Sequence, residues 1–262
     1  LPQMMRQKGK LVVAGVLLYQ EINRIGKFAG RILSQPKKTL VVAGGAKISD
    51  KIEVLKQFVL TGVKSILIGG KMANAFLLAQ QQKELIQPFH TDKLPAKLLS
   101  QKVQENEELL KEINLAEEII ELAEINKVAL IFPDDYKVVS DYQSTIFENK
   151  VTPDFSKELQ LDLGEKTINQ FEDLFKDIKN VFWNGPLGAY DHPACSYYAE
   201  GSLELAKLLF QMALIDSKLS VVIGGGDSAA ILNKIGVTEL KKMIKAQIEK
   251  QFPSTINRNQ IS

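Results

Sequence analysis

The strongest constraint on how this chain can fold is one repeated unit. A short apolar run rich in β-branched residues breaks at glycine and gives way to helical periodicity. It is clearest at Leu40–Phe58, LVVAGGAKISDKIEVLKQF. Ile48, Ile52, Leu55 and Val59 recur at steps of four and three, which marks one face of a helix. Asp50 and Glu53, three apart, read as a capping pair for that helix. Lys47 and Lys51, four apart, can project on one side of its start. Glycines allow backbone N–H groups close to a ligand, and a helix N-terminus favours negative charge. Two amines beside such a terminus form a corner suited to phosphate. An ordinary βα turn with two solvated lysines accounts for the same residues.

The unit recurs. Lys64–Gly70 (KSILIGG) is a strand ending in glycine, followed by the helical MANAFLLAQQQ. Val128–Phe132 (VALIF) ends at Pro133-Asp134-Asp135, and Asn180–Phe182 runs into Trp183-Asn184-Gly185-Pro186. Leu219–Ile223 ends at Gly224-Gly225-Gly226-Asp227-Ser228. Helical patterns cover Leu11–Gly30 (Gly30 standing where a stop belongs), 85–123, Glu165–Phe175, Glu200–Met212 and Ala229–Lys234. The many glutamates of 85–123 read as a solvated face, and Lys137–Gly164 reads as irregular. Strands alternating with helices predict an α/β fold, a three-layer Rossmann-like parallel sheet with helices on both faces. In such sheets ligands sit outside the carboxyl ends of the strands, where all these glycine segments fall.

Composition narrows the function classes. With 33 basic and 31 acidic residues and a net charge of +2, no bulk electrostatic attraction to nucleic acid is expected. The one cysteine, Cys195, allows no internal disulfide and suits a reducing compartment. No apolar run reaches the roughly 20 residues of a membrane span, so a soluble, cytoplasmic chain is expected. The basic flank and short apolar run near the start do not make a convincing signal peptide. Thr238–Phe252 reads as an amphipathic basic helix and Pro253–Ser262 as disordered. His90 and His192 lack a ligand-like cluster, and Trp183 reads as core.

Walker A spacing is absent. Gly224-Gly225-Gly226-Asp227-Ser228-Ala229 fits the dinucleotide pattern G-x-G-x-x-A, but a lysine-rich helix stands where the second strand and its acid belong. An aspartate directly after three glycines suits Mg²⁺ or a phosphate site better, since Mg²⁺ takes one or two carboxylates together with nucleotide phosphates.

Four segments, taken in order, are more specific than any of these motifs. AGGAKISDKI (43–52), IGGKMANAFL (68–77), WNGPLGAYD (183–191) and VIGGGDSAA (222–230) resemble the C-terminal nucleotide-binding domain of phosphoglycerate kinases. LDLGEKT (161–167) resembles the family's segment ahead of its WNGP turn, and AGVLLYQEI (14–22) the start of its interdomain helix. The resemblance spans roughly residues 11–236. It implies an interdomain-type lead-in over 1–30, the nucleotide-binding domain over 31–236 and a divergent basic tail over 237–262. It also implies Mg-ADP or Mg-ATP as nucleotide substrate. Lys47 and Lys51 match the lysines near the transferred group, and Gly45 belongs to their loop. Gly69, Gly70 and Leu161 match parts of the adenine pocket; Asn184, Gly185 and Pro186 match the turn along the nucleotide. Asp191 matches the ribose carboxylate, Asp227 the Mg²⁺ ligand, and Gly225, Gly226 and Ser228 the phosphate-facing loop.

This sequence has Asp191 where the family has Glu, Ser228 for Thr, Lys71 for a small residue and Gln160 for Gly. The family's last strand with its STGGGA loop finds no match after Gly236, and its N-terminal domain finds none either. The expectation is a monomeric, nucleotide-binding half of the kinase with little turnover alone, using 3-phosphoglycerate only when an N-terminal domain is supplied. Nucleic acid and membrane are not expected partners. A catalytically inactive nucleotide-binding domain and a dinucleotide-dependent oxidoreductase domain are the alternatives.

Overall fold

A computed structural model describes residues 16–86, 106–151, 153, 158–193, 195–236, 242 and 246. His90 and nearly all of the basic tail lie outside them. Five parallel strands form the main sheet: β1 (Thr39–Ala43), β2 (Ser65–Ile68), β3 (Ala129–Ile131), β7 (Asn180–Asn184) and β8 (Ser220–Gly224), in the order β3-β2-β1-β7-β8. The chain builds outward from β1 through β2 to β3, then returns to the other side of β1 with β7 and β8. The winding therefore reverses between β1 and β7, whose register pairs Ala43 with Asn184 at the carboxyl end.

Side-chain alternation sorts the helices. Val41 and Ala43 of β1 face a core that holds Leu55 and Val59 of α2 (Ile52–Thr61), Phe76 of α3 (Ala73–Ile86) and Ile113 and Ile120 of α4 (Glu107–Ile125). Phe28 and Ile32 of α1 (Val16–Ser34) join the same cluster. Leu40 and Val42 point the other way, against Trp183, Phe171 of α6 (Phe171–Leu174), and Leu205 and Leu209 of α8 (Glu200–Ile215). Leu232 of α9 (Gly226–Ile235) packs at the margin of this second core. Both faces of β1 are buried throughout, as a central parallel strand requires. The expected three-layer architecture is present.

Several local expectations are corrected. α1 runs through Gly30 to Ser34; Pro36 follows two residues later, and the residue before a proline is disfavoured in a helix. The span Lys137–Gly164, read as irregular, carries a second sheet. There β4 (Tyr136–Val139) pairs antiparallel with both β5 (Glu148–Lys150) and β6 (Leu159–Leu163). The helix expected over Glu165–Phe175 is two short pieces, α5 (Glu165–Asn169) and α6, meeting at Gln170. Asp135 caps α5: its carboxylate accepts from the amides of Lys166 (3.0 Å) and Thr167 (2.8 Å). Such a cap satisfies amides that a helix start leaves without partners. No described helix is long and apolar enough to cross a membrane.

Candidate active site

The carboxyl ends of β1 and β7 are laced together by main chain. Gly44 N donates to Asn184 O at 3.0 Å, Gly69 N to Ala43 O at 2.8 Å, and Met72 N to Gly45 O at 3.0 Å. Gly70 N donates to Leu187 O at 3.2 Å. The sole tryptophan, Trp183, is fully buried, and its indole N–H donates to Gly185 O at 2.7 Å. A Cβ at Gly44 would collide with the Pro186 carbonyl, and one at Gly185 with the Gly44 carbonyl. Gly185 also has φ +96°, in the left-handed region open to glycine. Two backbones thus touch where the sheet's winding reverses, the place at which doubly wound sheets bind ligands.

The lysine loop crosses this junction differently from the sequence reading. Helix α2 begins only at Ile52, with Lys51 as its N-cap and no side-chain cap, so Asp50 and Glu53 do not form the expected pair. The carboxylate that serves the loop comes from α4. Glu112 is buried, and its Oε2 accepts from the amides of Ile48 (2.5 Å) and Ser49 (3.2 Å). Its Oε1 accepts from the Ser49 hydroxyl at 2.7 Å. A buried acid meeting three donors is tolerated because its charge is compensated by hydrogen bonds. It also shows that the acidic face of α4 is not wholly solvated. The two lysines part company. Lys47 is exposed and ion-paired with Glu108 at 2.5 Å. That contact raises the Lys47 amine above its ordinary value and lowers the Glu108 carboxyl. Lys51 instead folds inward, its terminal carbon and amine against Gly45 and its terminal carbon against Gly185. Among the described residues the Lys51 amine has no ion-pair partner.

Across the junction, Gly225–Asp227 are exposed while Ser228 is buried. The Ser228 hydroxyl accepts from Gly185 N at 2.8 Å, tying the start of α9 to the WNGP turn. Asn184 Oδ1 lies against Gly225. Asp227 Oδ1 accepts from the Tyr190 hydroxyl at 3.0 Å. Burial, then the Asp227 carboxylate, pushes the Tyr190 phenol up. Among the described residues no three His, Cys, Asp or Glu side chains converge as a metal cluster. A single carboxylate at a helix start fits Mg²⁺, which takes its remaining ligands from water and nucleotide phosphates.

The positions matched to adenine and ribose meet only partly. Gly69 packs against Leu187. Leu161 is buried with Val139 and Tyr198, and its carbonyl accepts from Ala189 N at 2.7 Å. The segment Leu187–Ala189 therefore separates the two. Gln160, in the family's glycine position, accepts from the Asn74 amide, which bridges β6 and α3. The Asp191 carboxylate is exposed, with no hydrogen-bond or ion-pair partner among the described residues. His192 is buried against Tyr142 and Tyr198, ring edge to ring face, and its Nε2 meets Tyr142 O.

The acid of β6, Asp162, lies against Gly188 and Gly201. Fully buried, it accepts from Gly201 N near the start of α8 at 3.0 Å, and its Oδ1 has no hydrogen-bond partner. Burial pushes its carboxyl up to about 6, against the opposing pull of the Gly201 and Leu163 amides and of the Lys137 charge.

The family model for phosphoglycerate kinase matches residues 3–245. The chain belongs to the phosphoglycerate kinase family. Curated phosphoglycerate kinases from Lactobacillus johnsonii (36% identical over 236 residues) and Lactobacillus gasseri (39% over 236 residues) each align with 89% of this chain and 50% of their own length. That of Clostridium botulinum strain Alaska E43 is 33% identical over 228 residues, covering 86% of this chain and 49% of its own. The chain thus spans about half the length of the curated relatives it matches. Among solved structures, phosphoglycerate kinase from Coxiella burnetii superposes with a TM-score of 0.60 at 26% identity, over 87% of this chain and 51% of its own. The Pyrococcus horikoshii enzyme, with a TM-score of 0.59 at 22% identity, shares the fold.

Two side chains at the site were not singled out from the sequence, although Tyr190 lies within the segment 183–191. Glu112 could have been found from periodicity, because it stands in register with Ala116, Ile119 and Ala123 on the buried stripe of α4. Nothing in the local sequence marks Tyr190 as the donor to Asp227, a contact 37 residues away.

Proposed function

We propose that this chain is the Mg-ADP/Mg-ATP-binding half of a phosphoglycerate kinase, passing a phosphoryl group between 1,3-bisphosphoglycerate and ADP when a phosphoglycerate-binding domain is supplied. The observation that carries this reading is the gathering of Lys51, Gly44, Gly45, Gly185 and Ser228 at the reversal point between β1 and β7. Phosphoryl transfer demands positioning and stabilisation of charge spread over the phosphate oxygens. Lys51 already leans over the glycine junction, and Lys47 stands on the same loop. The exposed residues 225–227 open α9, and their amides would offer N–H donors to anionic oxygen. Mg²⁺, when bound, neutralises nucleotide phosphate charge, and Asp227 is the residue that would hold it. Gly69, Gly70 and Leu161 would flank the adenine and Asp191 the ribose. Residues 31–236 form the nucleotide-binding domain on this reading, 1–30 the lead-in to a hinge. Water is excluded from such a reaction by closure of two domains, so the chain alone turns over slowly.

Isothermal titration calorimetry tests the reading. Mg-ADP should bind, NAD should not compete, and Lys51→Met should weaken Mg-ADP by about tenfold, the loss of one charge-assisted contact. Preference for NAD would favour the oxidoreductase alternative, and full kinase activity from the chain alone would contradict the half-site account.

A further inference from the structure

Helix α4 meets the lysine loop with two carboxylates one turn apart, and the contacts differ in kind. Glu112 is only 8% exposed and engages backbone: the Ile48 and Ser49 amides, together with the Ser49 hydroxyl. Glu108 sits in the first turn, where Asn106 caps the helix by accepting from Leu109 N at 3.0 Å. Its side chain is 66% exposed and, among the described residues, ion-pairs with the Lys47 ammonium, itself 50% exposed, with the Lys71 and Lys111 charges farther off. Removing Glu112 from its site would leave three polar groups to find new partners. Removing Glu108 breaks one solvent-screened pair, a contact of small net worth.

We propose that α4 carries two positioning residues for the lysine loop: Glu112, a fixed anchor that sets its backbone, and Glu108, a displaceable counter-ion that occupies Lys47 until a nucleotide phosphate takes its place. The inference rests on the reading of this loop as a nucleotide-phosphate site. A carboxylate and a phosphate oxygen compete for the same ammonium protons, so both cannot hold Lys47 in one geometry. The nucleotide brings more negative charge and further contacts at the glycine junction. Glu108, exposed and one turn from the helix start, is free to swing into water. Glu112 has no such freedom, and the loop keeps its shape as the counter-ion changes. Asp50 and Glu112 also face the Lys47 charge, and an exposed lysine amine is protonated at neutral pH with or without Glu108 beside it.

The test uses the chain as it stands, titrated by calorimetry with Mg-ADP and separately with adenosine, which lacks phosphate. Glu108→Gln should tighten Mg-ADP about threefold, leave adenosine unchanged, and lose that gain when Lys47→Met is added. Glu112→Gln should weaken Mg-ADP about tenfold with adenosine again unchanged. If that variant does not fold, Ser49→Ala, which removes one of the three contacts, should weaken Mg-ADP about threefold. Unchanged or weaker Mg-ADP binding in Glu108→Gln overturns the counter-ion role, as does a gain that survives without Lys47. Equal losses for Mg-ADP and adenosine in Glu112→Gln overturn positioning in favour of a general structural role. Should the unaltered chain bind no Mg-ADP, the functional reading and this inference fall together. Binding that ignores both glutamates sinks this inference alone.

Discussion

The two walls of the candidate site are built on different principles. The lysine wall is held from behind: its backbone is pressed against Pro186 and Gly185, and a buried carboxylate from α4 grips Ile48 and Ser49. The Asp227 wall is held from the front, by one serine hydroxyl on Gly185 and one phenol on the aspartate. Close packing and a buried carboxylate with three donors fix the first, whereas one buried serine contact and one exposed phenol contact steady the second. On the proposed reading, a nucleotide half-site would benefit from that asymmetry. The loop that carries the two lysines would be held in place, while the loop at Asp227 would keep freedom to adjust around a ligand.

Substitutions can break this contrast, starting with the largest effect. Gly44→Ala drives a methyl group into backbone that cannot move without parting β1 from β7. It should cost about 3 kcal/mol or more, read as a lower denaturation midpoint; an unchanged midpoint would mean the junction is not tightly packed. Asp162→Asn acts away from both walls, against Gly188 and Gly201, and with the opposite sign. A carboxyl raised from 3.8 to about 6 in the fold is most compatible with the native state when protonated. Its contribution to stability is therefore present at low pH and lost as pH rises from about 4 through 6. The asparagine variant should be about 2 kcal/mol more stable at pH 7 and should lack that acid-side slope. Urea titrations at pH 4.5 and pH 7 measure both, and a destabilised variant at pH 7 would refute the burial argument.

Glu112→Gln leaves donors of the lysine wall poorly met and should cost about 1–2 kcal/mol in the same assay. Ser228→Ala removes the single contact from α9 to Gly185 and should cost about 1 kcal/mol. If the serine change proves costlier than the glutamate change, the ranking of the two walls is reversed. Tyr190→Phe, which deletes an exposed contact to Asp227, should stay within about 0.5 kcal/mol.

How much of this was legible in the sequence follows from the same physics. β1, β2, β7 and β8 announce themselves because buried parallel strands are continuous apolar runs and their ends need glycine for close approach. The site residues Gly45, Gly185 and Ser228 came with those ends. The antiparallel sheet was missed because β5 is Glu-Asn-Lys, with no apolar residue, although β6, Leu-Gln-Leu-Asp-Leu, alternates strictly and carried a strand signal that the irregular reading passed over. The supposed Asp50–Glu53 cap failed because α2 starts at Ile52 with Lys51 as its N-cap, which leaves Asp50 outside the helix start; the Ile48 amide ahead of it meets a partner 64 residues away in the chain. Spacing alone put Lys47 and Lys51 side by side. The late start of α2 and the pull of Glu108 separate them.

The central claim is that the β1–β7 junction, with its lysine loop and the 225–228 turn, receives the phosphates of a magnesium nucleotide. Backbone amide chemical shifts followed during a Mg-ADP titration test it most directly. The account predicts that Gly44, Gly45, Lys51, Gly185 and Gly225–Ser228 move together and saturably, while the second sheet around Tyr136 and Asn149 stays still. Saturable shifts confined to that second sheet, or none anywhere at millimolar Mg-ADP, would contradict it.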